Sequence, residues 1–114
     1  MFYRLRNKDG SASGFSGGIL VRPDGSTQTL ATGDAVIEER DHWTSPHSGT
    51  RYPSGWRLQL PDEAIDLRIE PVMLDQELDL SVRYWEGAVS VTGESGGRDI
   101  RGAGYVELVG YPAP

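Results

Sequence analysis

Two stretches of this chain carry the G-x-S-x-G spacing of a nucleophilic serine: Gly14-Phe15-Ser16-Gly17-Gly18 and Gly93-Glu94-Ser95-Gly96-Gly97. Serine hydrolysis needs that residue on a sharp turn between a strand and a helix, so that its hydroxyl stands free above a helix N-terminus. Ser16 runs instead into Ile19-Leu20-Val21, a strand pattern, and Ser95 falls in a Gly-rich turn. Neither is expected to be a nucleophile, and two hits in a Gly- and Ser-rich chain show how little the pattern specifies. The imidazoles are His42 and His47, with Glu38, Glu39 and Asp41 nearby. Their spacing matches no compact metal motif, so they read as surface histidines flanking a loop, with no metal and no cofactor expected. Among the acids Glu107 stands out, because period-two alternation puts it on one face with Tyr105, Val109 and Tyr111. An acid in an aromatic row is either buried with a partner or exposed on an unusually aromatic surface. Glu86 is next, since the broken alternation at Trp85-Glu86-Gly87 marks a bulge or corner that re-aims a side chain.

Strands must position these residues. Fifteen glycines and seven prolines fall as punctuation between short apolar-alternating runs, which is the pattern of many strands joined by tight turns. Phe2 to Lys8 is closed by Asp9-Gly10, and Phe15 to Arg22 by Pro23-Asp24-Gly25-Ser26. Ala35 to Arg40 reads as a strand that leads into a long irregular stretch, His42 to Gly55. Trp56, Leu58 and Leu60, then Leu67 and Ile69, then Leu78, Leu80, Val82 and Tyr84 alternate with polar residues, and Val89 and Val91 continue the pattern. Gly93 to Asp99 makes a turn, and Ile100 to Tyr111 a last long strand. A period of two over such lengths means strands with one wet face. No window has a 3.6-residue apolar period, and Pro61 to Ile65 makes one helical turn at most. About eight to nine strands joined by short turns close most readily into an antiparallel up-and-down barrel, with a β-sandwich as the runner-up.

A length of 114 residues suits one domain, residues 1–114, able to bury roughly two thirds of the surface of its unfolded form. A net charge of -6 and a pI near 4.8 repel phosphate backbones and argue against a nucleic-acid partner. The absence of cysteine rules out a disulfide framework and a thiolate zinc site. The opening MFYRLRNKDG builds no apolar run of a signal peptide, and no stretch approaches the ~20 apolar residues of a membrane span. Any export signal is expected upstream, in a longer parent that is secreted or periplasmic, so localisation stays open.

Four segments, in order, carry a resemblance: W-T-S-P-H-S-G-T-R-Y-P-S-G-W (43–56), D-Q-E-L (75–78), Y-W-E-G-A-V (84–89) and G-A-G-Y-V-E-L-V-G-Y (102–111). Together with the opening F-Y-R-L-R-N-K-D-G they resemble the second half of the AttH and carotenoid/kievitone hydratase family, whose members include hydroxyneurosporene synthases and proteins labelled only as predicted secreted hydrolases. The resemblance implies a lipocalin-like (calycin-type) barrel, normally packed on a second one. The chain departs from the pattern in lacking the first barrel and the strand before Phe2, and in carrying Val109 where the family has threonine.

The resemblance also implies hydratase-like chemistry, in which water is added to a carbon-carbon double bond. That reaction needs an acid to protonate carbon, a low-polarity pocket to hold the carbocation and a positioned water; aromatic faces serve the second need by cation–π attraction. Trp43, Tyr52, Trp56, Tyr84, Trp85, Tyr105 and Tyr111 lie in or beside the four segments as candidate ligand-binding residues, with Asp75, Glu77, Glu86 and Glu107 as acids. Glu107 and Glu86 are the candidate catalytic acids. The plainer reading makes the aromatics core fillers and pairs the carboxylates with Arg68, Arg83, Arg98 or Arg101. The expectation is therefore a barrel that binds an apolar small molecule as part of a hydratase-like protein, or else a non-catalytic carrier or structural barrel. In either case self-association, or packing on a second lipocalin-like barrel, is expected.

Overall fold

The computed structural model describes residues 1–114. Its strands are β1 (Phe2–Tyr3), β2 (Gly17–Val21), β3 (Thr27–Ala31), β4 (Val36–Thr44), β5 (Arg51–Leu60), β6 (Ile65–Pro71), β7 (Glu77–Asp79), β8 (Arg83–Ser95) and β9 (Arg98–Val109), with short 3₁₀ turns at Thr32–Asp34 and Pro61–Glu63. Strand accounts for 60% of the chain and helix for 5%, so the all-β expectation holds. Every pair is antiparallel. β1, β2 and β3 form a small sheet, and the larger one runs β4-β5-β6-β8 with β7 and β9 also on β8.

β8 organises the larger sheet. Along one edge it pairs with β7 at residues 83–85 and with β6 at 89–95; along the other it pairs with β9 over residues 84–95. Its hairpin to β9 turns through Gly96 and Gly97, at φ 58° and 79°, the left-handed pair that a two-residue turn between twisted strands demands. Alternation then sends Trp85 and Val89 inward to join Tyr52 and Trp56 in the core, with Ile37, Trp43, Ile69, Val91, Val106, Leu108 and Tyr111 packed around them.

The N-terminal segment ties the flanks of this sheet together. Arg4 Nη1 donates to Ile37 O in β4 at 3.3 Å, and Arg6 Nη2 donates to Val109 O at the end of β9 at 3.4 Å. This explains why the expected strand Phe2 to Lys8 stops at Tyr3: Leu5 is held by Ser16 Oγ, which accepts its N–H at 2.9 Å, and by Ser13 N–H, which donates to its carbonyl at 2.8 Å.

Other expectations need correction. The irregular stretch His42 to Gly55 is mostly strand, with the loop confined to residues 45–50, and β4 and β5 absorb its irregularity as register shifts between Glu39 and Asp41 and between Asp41 and His42. Register runs unbroken through Trp85, Glu86 and Gly87 against β9; the break in pattern there marks the place where β8 changes partner on its other edge. Leu78 to Tyr84 is two strands and a turn, closed by Arg83 Nε donating to Asp79 Oδ1 at 3.2 Å. Leu80 and Val82 mimicked strand alternation, but they are exposed turn residues. The last strand ends at Val109 because Gly110, at φ 84°, swings the chain inward.

At Gly93, opposite Leu67 of β6, φ is 152° and an added Cβ would collide with the Asp66 carbonyl oxygen. Gly93→Ala should therefore lower unfolding stability by roughly 1–3 kcal/mol, the usual cost of overpacking. Urea denaturation checks this, and an unchanged midpoint would mean that the β6–β8 crossing relaxes freely.

Candidate functional site

Loop 45–50 brings hydroxyls together, and Glu77 at the start of β7 collects them. Ser45 Oγ donates to Glu77 Oε1 at 2.6 Å, and Ser48 Oγ and Tyr52 Oη donate to Oε2 at 2.6 and 2.7 Å. Ser45 Oγ in turn accepts the backbone N–H groups of His47 and Ser48, and Ser48 Oγ accepts that of Thr50. Burial pushes the Glu77 carboxyl up, but the three hydroxyl donors and the charge of Arg83 outweigh it and hold the group below the ordinary glutamate value. Burial, followed by the bond to and charge of Glu77, pushes the Tyr52 hydroxyl up to about 12. Glu77 is thus a permanent carboxylate, suited to holding structure together and unsuited to giving up a proton. Sequence reasoning placed Glu77 among the acids without giving it this role. The available signal was the run of hydroxyl residues at 45, 48, 50 and 52, too many to be satisfied within one short loop.

The neighbouring residues lock β7 onto β8. Gln76 Oε1 accepts Ala88 N–H at 2.9 Å and its Nε2 donates to Ala88 O at 3.1 Å, so the side chain continues the ladder that β7 does not reach. It lies directly over Gly87, where any Cβ would strike it. Trp85 Nε1 donates to Leu74 O at 2.7 Å. The segments 75–78 and 84–89 therefore interlock side chain to backbone, and this fixes which residues of β8 face out.

The nine candidate residues separate into two sets on opposite sides of the sheet. Trp43, Tyr52, Trp56, Trp85 and Tyr111 point inward as core or core flank. Trp43 stacks on Tyr52 at 6.2 Å between centroids, Tyr111 packs on Tyr52 at 5.7 Å, and Trp56 meets Trp85 at 6.2 Å. The Arg6 guanidinium sits 4.2 Å over the Tyr111 ring, and burial raises the Tyr111 hydroxyl above its ordinary value. The expectation that Glu107 shares a face with Tyr111 is corrected by the swing at Gly110.

Tyr84, Glu86, Tyr105 and Glu107 form the outward set. Register places Glu86 directly opposite Glu107, Tyr84 opposite Val109 on one side, and Ala88 opposite Tyr105 on the other. Leu78 extends the row beyond Tyr84. Tyr105 is 66% exposed; partial desolvation and then the Glu86 charge raise its hydroxyl above the ordinary tyrosine value. Two carboxylates thus stand side by side, framed by two tyrosines and apolar residues, on an open face.

The remaining candidates are accounted for by ordinary bonds. Ser16 is buried, and its hydroxyl both accepts Leu5 N–H and donates to Leu5 O; Ser95 ends β8 opposite Arg98. His42 lies 3.2 Å from Glu39. One shallow cleft lies between the small sheet and the start of β4, and another is a charged groove along Arg40, Arg57, Asp66, Arg68 and Glu94. Neither is lined by the inner aromatics.

A model of the AttH-like family matches residues 1–111. Among solved structures, a protein from Nitrosomonas europaea described as an AttH superimposes with a TM-score of 0.79 and 31% identity, over 96% of this chain and 33% of that one. Kievitone hydratase from Nectria haematococca superimposes with a TM-score of 0.76 at 18% identity, over 98% of this chain and 34% of that one, which is a likeness of fold. These relatives carry lipocalin-like folds, as expected here. The chain spans about a third of the length of the structures it matches. No curated protein matches it.

Glu77→Gln keeps the shape but loses the charge that strengthens three hydrogen bonds, and should cost about 1–3 kcal/mol. Because the folded-state carboxyl lies below its ordinary value, the stability it contributes is complete above the unfolded value and is lost as pH falls through the folded one. Acid titration of the wild type should therefore show a loss of stability beginning near the ordinary glutamate value of 4.5 and deepening below it, and Glu77→Gln should flatten it. An identical acid limb in the variant would assign the effect to other groups.

Proposed function

Because the chain belongs to the AttH-like family, we propose that it is a lipocalin-like module of a hydratase-like protein and binds an apolar small molecule against the outward face of β8 and β9. The observation that carries this reading is the direct opposition of Glu86 and Glu107 within a frame of Tyr84, Tyr105, Val109 and Leu78. Like charges directly opposite one another are unfavourable in a sheet. Two carboxyl groups side by side can supply both the acid and the base that water addition requires.

In this scheme Glu107 gives its proton to one alkene carbon, and the oxygen of a water bonds to the other carbon. Glu86 takes the proton that the water loses, so the two carboxyl groups together carry as many protons after the addition as before it. The tyrosine faces stabilise the intermediate cation. On the isolated chain this face is open to solvent, so the scheme needs a cover. Leu78, Leu80, Val82, Tyr105 and Val109 are exposed on and beside the face, as side chains that a second lipocalin-like barrel, or a second copy of this chain, would bury. A second reading, a non-catalytic carrier or structural barrel, is favoured by one observation: the inner aromatics pack on one another as core.

The test uses a polyene or flavonoid-like probe read by tryptophan fluorescence, together with water addition assayed in the longer protein. Tyr105→Ala should weaken binding by roughly 1–3 kcal/mol if its ring packs on the ligand. Glu107→Gln should leave affinity nearly intact and abolish turnover, since the amide keeps the shape and lacks the acidic proton. A folded Glu107→Gln protein that binds the probe and turns over at the wild-type rate would remove the acid from the scheme and leave the carrier reading.

A further inference from the structure

The cleft between the small sheet and the start of β4 lies away from the β8–β9 face and meets the core through Ile37. Its volume is ≈ 230 Å³, and five of its eight lining residues are apolar: Phe2, Ala12, Ala35, Val36 and Ile37. Arg4 is its one charged residue. Its two hydroxyls are already committed. Ser16 Oγ donates to Leu5 O at 3.3 Å, and Thr32 Oγ1 donates to Ser16 O at 2.8 Å.

Arg4 is held far more loosely. Its guanidinium makes one bond of 3.3 Å to Ile37 O and a 3.7 Å ion pair with Glu39, a carboxylate that His42 also engages at 3.2 Å. A guanidinium has five N–H donors in a planar fork, which suits the two oxygens of a carboxylate, and most of those donors are unspent here. An apolar hollow with a single loosely held guanidinium in its wall selects a molecule with an apolar body and one anionic end. We propose that this cleft binds a small amphipathic carboxylate, with the carboxylate on Arg4 and the hydrocarbon against Phe2, Val36 and Ile37. The volume falls below the ~300–1,000 Å³ of sites for drug-sized ligands, so the occupant is a short aliphatic chain or a single ring. The net charge of -6 would repel an anion at long range, which leaves local contact with Arg4 to provide the attraction.

Octanoate is a suitable probe, titrated into the full isotope-labelled chain and followed by NMR, with octanol as the uncharged control. Saturable shifts confined to Phe2, Ala12, Ala35, Val36 and Ile37 are expected, with octanol the weaker binder. Arg4→Met should weaken octanoate by about tenfold or more, the scale of one lost charge-assisted contact, and leave octanol unchanged. Glu39→Gln removes the competing carboxylate and should tighten octanoate severalfold. Should Arg4→Met disturb the fold, as amide dispersion would show, Arg4→Lys keeps the charge without the fork and should bind more weakly than wild type. Shifts that map to the Trp56 and Trp85 core, an absence of saturation, or octanoate affinity unchanged in Arg4→Met or in Glu39→Gln would overturn the proposal.

Discussion

The carboxylate of Glu77 is the point on which the rest of the molecule hangs. A part-buried charge is costly unless hydrogen bonds compensate for it, and here three hydroxyls from one loop and one strand do so. The bonds act in two directions. They fold loop 45–50 back onto β7, and they seat Tyr52, 1% exposed, so that Trp43 and Tyr111 can stack on it. Without that anchor the short β7 would keep its three-residue pairing with β8 and the Gln76 and Trp85 bonds but lose its tie to loop 45–50.

Small residues let the large ones pack. Gly87 admits the Gln76 side chain, and Gly104 lies across from Val89, whose Cγ2 is 3.3 Å from where a Cβ would sit. Glycines on β8 and β9 thus leave room for Gln76 and Val89, while alternation sends Tyr84, Glu86, Tyr105 and Glu107 to the opposite surface. The same strands therefore build a dry aromatic core on one side and a wet row of acids and tyrosines on the other.

That core is thin. Six hydrophobic residues are buried against fifteen large hydrophobics exposed, a balance unusual for a self-contained soluble domain. The Arg4 and Arg6 contacts help by linking the flanks of the larger sheet, and Arg22 joins the small sheet to Glu63 at 2.8 Å. Both links run through partly exposed arginines, which contribute modestly. Of the exposed apolar side chains, Leu78, Leu80, Val82, Tyr105 and Val109 lie on or beside the face that carries the acid pair.

Strand content, the Asp24-Gly25 turn and the family were legible in the residues themselves, because period two, Asp-Gly pairs and ordered segments such as D-Q-E-L are local signals, whereas the turn expected over Gly93 to Asp99 is confined to Gly96 and Gly97. What the sequence left open was the side of the sheet on which each one stands. Tyr105 and Tyr111 are six residues apart and share a parity, yet one is exposed and the other packs on Tyr52, because Gly110 turns the chain between them. Glu86 and Glu107 sit on different strands, and only the β8–β9 register makes them neighbours. Glu77 needed still more: its partners lie 25 to 32 positions away, and a hydrogen bond across such a distance is decided by how the loop and strands meet in space, which no local periodicity encodes.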